Sequence, residues 1–383
     1  MGNKVLVVDD SALMRKVLRQ VLSEAGFEVE SARSGREGIE LAQAFQPDVV
    51  TLDVNMPEMD GLTALSLLMA QRPTPVIMVS SLTTASAMPT LEALALGAVD
   101  YIAKPGGTIS LNLHEVADDL VQKVRTASTA RVRGARARLA KPEPAARTRA
   151  PLRTRQAPSG HTNAQPQGRT QAHDLAERQA RLARPLRDLG RPEGLVLIGV
   201  STGGPRTLED ILPTLPADFP WPVLVCQHMP AQFTATFAQR MDSICALEVR
   251  ECNGPMPLQA GQVIIAQGGF DMVVSERLGR LVAQPVAEAP GQPWHPCVDV
   301  LVDSALRQMP AEQLVGVLLT GMGFDGAASM TRLHQQGGRT IAESAESAVV
   351  FGMPQELINR QGANRILHSG RIGEQLRDWI APQ

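Results

Sequence analysis

A chain of 383 residues has room for about two domains at the ~150 residues a domain usually takes. Hydrophobic residues at 44% and charged residues at 20% exclude a wholly disordered protein. The 37 Lys and Arg against 39 Asp and Glu leave no basic field for nucleic acid, and aromatics at 3% argue against base stacking.

The N-terminal MGNKVLVVDD is cut short by Asp9 and Asp10, too early for a signal peptide, and Leu6 stands where a myristoylation site has Ser or Thr. No run approaches the ~18–20 apolar residues of a membrane helix. The four cysteines, Cys226, Cys245, Cys252 and Cys297, form no C-x-x-C pair, so reduced thiols in a cytoplasm are expected and membrane insertion is not.

Residues 1–127 alternate strand and helix. KVLVV (4–8), FEVES (27–31), DVVTL (48–52), PVIMVS (75–80) and AVDYIA (98–103) read as strands, and Leu13, Val17, Leu18, Val21 and Leu22 recur at helical spacing. This pattern predicts an α/β domain, a doubly wound five-stranded parallel sheet with helices on both faces. Residues 128–190, crowded with Arg, Ala, Pro and Gln, read as a flexible linker with a transient helix near Leu175–Leu186. From 191 to 383 a second α/β domain with a mainly parallel sheet is expected. GLVLIGVSTGG (194–204) reads as a strand running into a Gly-rich turn, PVLVCQHM (222–229), QVIIA (262–266) and QLVGVLLTGMG (313–323) as further core strands, and helices fall around 205–215, 231–242, 297–308 and 325–336. MVVSERLGRLVAQ (272–284) reads as a hairpin turning at Leu278-Gly279.

Two groups of residues carry chemistry. Asp9 and Asp10 end the first strand, Asp53 the third and Ser80 the fourth, and Lys104 follows the fifth. A doubly wound sheet gathers these strand ends at one edge. Three carboxylates there suit a hard divalent ion such as Mg2+, while Lys104 and Ser80 are placed to meet a phosphoryl group. Helix capping, as by Asp10 before Ser11, is the competing reading for any one acid.

In the second domain GVSTGGP (199–205) sets Ser201 in a G-x-S-x-G turn after a strand, which suits a nucleophile or a phosphate-binding loop equally. His228 ends the strand in VCQHMP. Of the other histidines, His161 and His173 lie in the linker and His114 in the first domain; His295 sits in a Pro-rich loop, and His334 and His368 on surface helix or turn. Asp325 in TGMGFDG follows a strongly apolar strand and can orient a histidine base; Asp299 and Asp303 are alternatives on a helix at i and i+4.

VLVVDDSALMR, TLDVNMPEMDGL, VIMVSSLT and GAVDYIAKP resemble the receiver domain of response regulators. The resemblance implies Asp53 as phosphoacceptor, Asp9 and Asp10 with Asp53 holding Mg2+, and Ser80 and Lys104 reading the phosphoryl group. Joined to GVSTGGP, QHMP and TGMGFDG, the whole is similar to the chemotaxis methylesterase family, CheB. That implies Ser201 as nucleophile, His228 as base, Asp325 as its acid and the Met322 amide as an oxyanion donor, with no cofactor for the ester chemistry. It also implies methyl-accepting chemoreceptors as substrates, deamidation of receptor glutamines, a chemotaxis histidine kinase as phosphodonor, and an unphosphorylated receiver packed over Ser201. The resemblance implies a usual Pro at the position of Gln267 and a His near Asp271, and this chain differs at both. The competing readings are a response regulator with a non-catalytic partner- or nucleotide-binding domain, which lacks a P-loop G-K-[ST], and a DNA-binding factor, which lacks any helix-turn-helix or zinc signature.

Overall fold

The computed structural model describes residues 3–81, 83–104, 113–130 and 191–380. The linker reading from residue 131 onward, the helix expected near Leu175–Leu186, His161, His173 and the His114 side chain lie outside the described residues.

The N-terminal domain alternates β1 (Lys4–Val8), α1 (Ala12–Glu24), β2 (Glu28–Ala32), α2 (Gly35–Phe45), β3 (Val49–Asp53), α3 (Gly61–Gln71), β4 (Val76–Ser80), α4 (Thr84–Leu96), β5 (Asp100–Ala103) and α5 (Leu113–Ala127). All five strands are parallel, in the order β2-β1-β3-β4-β5. Every residue of β3 and β4 is buried, as a strand covered on both faces requires. In α1 the inward stripe is Leu18 and Leu22, with Met14 and Val21 packed beside it; Leu13 falls off that stripe and is half exposed.

The C-terminal domain begins with β6 (Leu195–Val200), α6 (Gly204–Ile211), β7 (Val223–Gln227), α7 (Ala231–Ile244), β8 (Glu248–Cys252), β9 (Met256–Pro257) and β10 (Gln262–Ala266). It continues through β11 (Asp271–Arg277), β12 (Arg280–Val286), α8 (Val298–Leu306), β13 (Leu314–Leu318) and α9 (Ala327–Gln335). β14 (Arg339–Glu343), α10 (Met353–Asn359), β15 (Arg365–Leu367) and α11 (Ser369–Ile380) complete it. Seven parallel strands form one sheet in the order β15-β14-β13-β6-β7-β10-β8. From β6 the chain passes to β7, out to β8 at the edge and back to β10 between them, then crosses to the other flank for β13, so the winding direction changes between β6 and β13. In open α/β sheets ligands bind at such a change of direction, beyond the carboxyl ends of the strands.

The expected hairpin is present as β11 and β12, antiparallel and joined by β9 into a small separate sheet. Its turn is Leu278-Gly279 with φ of 51° and 74°, the left-handed pair that a two-residue hairpin loop needs.

One apolar cluster runs unbroken from Ala87, Leu91 and Leu94 on α4 to Leu208 and Ile211 on α6 and Phe233 and Phe237 on α7. The Tyr101 ring on β5 lies 4.8 Å from that of Phe233. The receiver-like domain is thus packed on the C-terminal domain through its α4–β5 side.

Candidate active site

Ser201 and His228 each follow the last residue of a central strand, and Val200 pairs with Gln227 in the register of β6 and β7. The His228 amide donates to the Val200 carbonyl at 3.0 Å. Buried Gln227 ties the two turns together, its Nε2 donating to the carbonyls of both Ser201 and His228 at 3.0 Å. The Ser201 amide donates to Thr320 O, at the end of β13, at 2.9 Å. Three adjacent strands therefore deliver Ser201, His228 and the TGMGFDG loop to one rim.

Asp325, 1% exposed, accepts from His228 Nε2 at 2.8 Å. The same carboxylate takes the amides of Val298 at 2.7 Å and Asp299 at 3.0 Å, and the Cys297 thiol at 3.3 Å. Those amides open α8, so the acid sits where a helix presents free N–H groups and positive dipole. Burial alone would push the Asp325 carboxyl up; the His228 bond and charge and the two amides outweigh it and hold it below its ordinary value. Burial, with Asp325 adjacent, pushes the Cys297 thiol up.

With Nε2 bound to an ionised carboxylate, the His228 proton resides there and Nδ1 carries the lone pair. His228 Nδ1 is buried without a hydrogen-bond partner, and Ser201 Oγ makes no hydrogen bond among the described residues. The base and nucleophile are not hydrogen-bonded to each other here, a gap common before substrate binds.

Gly321 makes the close approach possible: a Cβ there would lie 2.6 Å from Ser201 Cβ. Beside it, the Met322 amide has no acceptor among the described residues, and neither has that of Thr202, which follows Ser201. Both are free to meet an oxyanion, and an amide just after the nucleophile is the position an oxyanion hole commonly uses.

The receiver-like domain reaches this rim. Thr202 Oγ1 donates to Asp100 Oδ2 on β5 at 2.7 Å, and Thr126 Oγ1 on α5 lies 2.8 Å from Met322 Sδ. A cavity of about 490 Å³ lies beside that contact, lined by Arg125, Thr126, Met322, Gly323, Val349 and Phe351 among others.

At the receiver edge, carboxylate oxygens of Asp9, Asp10 and Asp53 lie within 4.8 Å of one another. Lys104 Nζ donates to Asp53 Oδ2 at 2.6 Å and lies 3.1 Å from Asp9 Oδ2. Burial raises the Asp53 carboxyl, Lys104 opposes it and Asp9 adds to it. Burial would lower Lys104, but its two carboxylates raise it. Ser80 Oγ accepts from Thr90 Oγ1 on α4 at 3.0 Å. Asp10 does not cap α1: Ser11 does, accepting from Met14 N, while Asp9 accepts from Ser11 N.

The alternative acids have other roles. Asp299 accepts from Ser329 N at 2.9 Å and Asp303 pairs with Arg332. His295 Nδ1 lies 3.1 Å from buried Asp271, which also takes the amides of Ala289 and Cys297 and so closes a loop. Sequence reasoning missed Thr202, Asp100, Thr126, Cys297 and Trp294. Thr202 lies within GVSTGGP; the other four belong to no spacing pattern and act on residues distant in the chain.

Two family models match the chain: the response regulator receiver domain over residues 5–114 and the CheB methylesterase over 196–376. The chain is 49% identical to protein-glutamate methylesterase/protein-glutamine glutaminase 3 of Rhodospirillum rubrum, an alignment spanning 99% of this chain and 96% of that protein. It is 48% identical to the corresponding protein 2 of Rhodopseudomonas palustris, over 98% of each. Among solved structures it is similar to the methylesterase catalytic domain of Thermotoga maritima CheB, at 37% identity over 48% of this chain and 97% of that one, with a TM-score of 0.47. Identity near one half over almost the full length of both chains makes this chain a member of the protein-glutamate methylesterase/protein-glutamine glutaminase family.

Proposed function

We propose that this chain is a phosphorylation-activated hydrolase that removes methyl esters from glutamate residues of chemoreceptors and deamidates particular receptor glutamines. Ser201 is its nucleophile, His228 its base and Asp325 its acid. The reading rests on the 2.8 Å bond from His228 Nε2 to Asp325, made at the strand end beside Ser201.

His228 Nδ1 takes the Ser201 proton as Oγ attacks the ester carbonyl, and the amides of Thr202 and Met322 face the oxyanion. The imidazolium returns that proton to the leaving oxygen, releasing methanol. A water, deprotonated by His228, then attacks the acyl-enzyme and leaves the glutamate carboxylate and a free Ser201. With a glutamine substrate the same attack releases ammonia. Asp325 balances the imidazolium in both halves, a role for which its ionised, amide-bound state is prepared.

Control comes from the receiver, which takes a phosphoryl group from a histidine kinase on the Asp53 carboxylate. Asp9, Asp10 and Asp53 offer only oxygen donors around one lysine, which fits Mg2+, and the ion would neutralise charge on the transferred group. The phosphoryl group draws Lys104 and Ser80, and Ser80 is bonded to Thr90 on the helix that packs on α6 and α7. Repacking there frees the Asp100–Thr202 and Thr126–Met322 contacts and opens the Ser201 rim. The enzyme and its receptors' signalling ends meet in the cytoplasm.

Methanol release from methylated receptor membranes tests this reading. Ser201→Ala abolishes it, whereas Asp53→Ala retains the basal rate and loses stimulation by a phosphodonor. Esterase activity retained in Ser201→Ala overturns the catalytic assignment, and stimulation retained in Asp53→Ala overturns the regulatory one.

A further inference from the structure

The His228 ring makes one hydrogen bond, at Nε2, and a single bond leaves the ring free to swing about its axis. Its plane is set by Trp294. The indole lies parallel to the imidazole, 5° between planes and 5.5 Å between centroids. Phe324 packs edge-on against the far ring system at 5.1 Å and 78°. Gly323, at φ 88°, closes on the indole so tightly that a Cβ there would lie 2.7 Å from a ring atom. The segment carrying Trp294 is itself pinned: buried Asp271 binds the amides of Ala289 and Cys297 and the His295 ring, and the Gly269 amide donates to His295 O. So many constraints on one partly exposed tryptophan are more than local folding needs.

From this stack we infer that Trp294 is a positioning residue for His228: it fixes the imidazole plane and offers the electron-rich indole face to the imidazolium formed when Ser201 loses its proton. The inference rests on the Ser201–His228–Asp325 reading above. An aromatic face attracts a cation but has little preference for a neutral ring, so the contact strengthens as the barrier is climbed. Such an interaction acts on kcat and leaves KM alone. Of the titratable groups near the stack, Asp325 faces the ring, Cys297 bonds the same carboxylate with Cys226 near it, and His295, next to Trp294 in the chain, is paired with Asp271.

The test uses the full-length, phosphodonor-activated chain and methylated receptor membranes, with Ser201→Ala alongside. Trp294→Leu keeps apolar bulk but removes the π face; kcat falls about tenfold with KM within twofold. Trp294→Phe restores kcat to within about threefold of the parent, since a smaller aromatic face remains. Phe324→Ala, at a position that is half exposed and safe for folding, loosens the indole and lowers kcat about threefold. Thermal unfolding of each variant separates loss of fold from loss of positioning. An unchanged kcat in Trp294→Leu, a loss confined to KM, or a Phe variant no better than Leu overturns the inference. If Ser201→Ala keeps activity, the triad reading itself has failed instead.

Discussion

Replacing Asp325 by Asn changes one atom's chemistry and has no good orientation. If the amide nitrogen faces His228, its hydrogens meet the Nε2–H, and the ring must shift its proton to Nδ1, which removes the base. If it takes the Oδ1 place instead, its hydrogens meet the Asp299 amide and the Cys297 thiol, and both lose their acceptor, while Oδ2 keeps His228 and Val298. Either way the charge opposite the imidazolium is gone. The expected loss in kcat is about 10³–10⁴, or roughly 4–5.5 kcal/mol of transition-state stabilisation. Buried donors left without an acceptor cost about 1–3 kcal/mol of stability in addition. That second loss depends on pH with a definite sign. The folded carboxyl titrates below its unfolded value, so its contribution is full above about pH 4 and disappears as pH falls through the folded value. Wild type and Asp325→Asn should therefore differ in unfolding free energy at neutral pH and converge in acid. Methanol release and denaturant unfolding measured at several pH values check both parts. A variant that keeps more than a tenth of kcat would remove Asp325 from the mechanism, and a stability gap that widens in acid would refute the electrostatic account.

Two other outcomes follow from described contacts. Asp100→Ala deletes the acceptor of Thr202 Oγ1, and a hydrogen bond worth about 1 kcal/mol should raise the unphosphorylated rate about fivefold while leaving the fully stimulated rate unchanged. All four cysteines are buried, and burial pushes Cys252 up to about 12 and Cys226 well above its usual range. Native protein at pH 8 should therefore be nearly inert to a thiol reagent over minutes, with four equivalents reacting once it is unfolded. Fast labelling of any one thiol in the native state would contradict the placement.

The parallel strands of both domains were legible because their residues are apolar at nearly every position, as in β3, β4, β6 and β13. What escaped was strand character hidden by charge. β14 reads RTIAE, yet Arg339 stacks over Trp221 and Trp379 and the Glu343 carboxylate takes the Thr320 amide, so both charged ends are satisfied by residues far along the chain. β8 is an edge strand whose Arg250 and Glu248 face outward and pair, an ordinary edge device that dilutes the apolar signal. The candidate triad could be proposed because strand ends converge, with Asp325 preferred to Asp299 and Asp303; what the sequence could not display is that His228 and the amides opening α8 all donate to Asp325. The Trp294 stack had no signal at all: the two rings are brought together by a loop closed by Asp271 and the Gly269 amide.

The Asp100–Thr202 and Thr126–Met322 contacts have a consequence for where the enzyme is most active. Under the proposed regulation, a receptor segment reaching Ser201 displaces the same two threonine contacts that phosphorylation releases, so docking and acyl-phosphate formation are linked in one equilibrium. Linkage is reciprocal: whatever factor phosphorylation adds to receptor affinity, receptor binding returns to the phosphorylated form. On the proposed regulation, receptor bound at Ser201 would therefore favour the open, phosphorylated form of the enzyme.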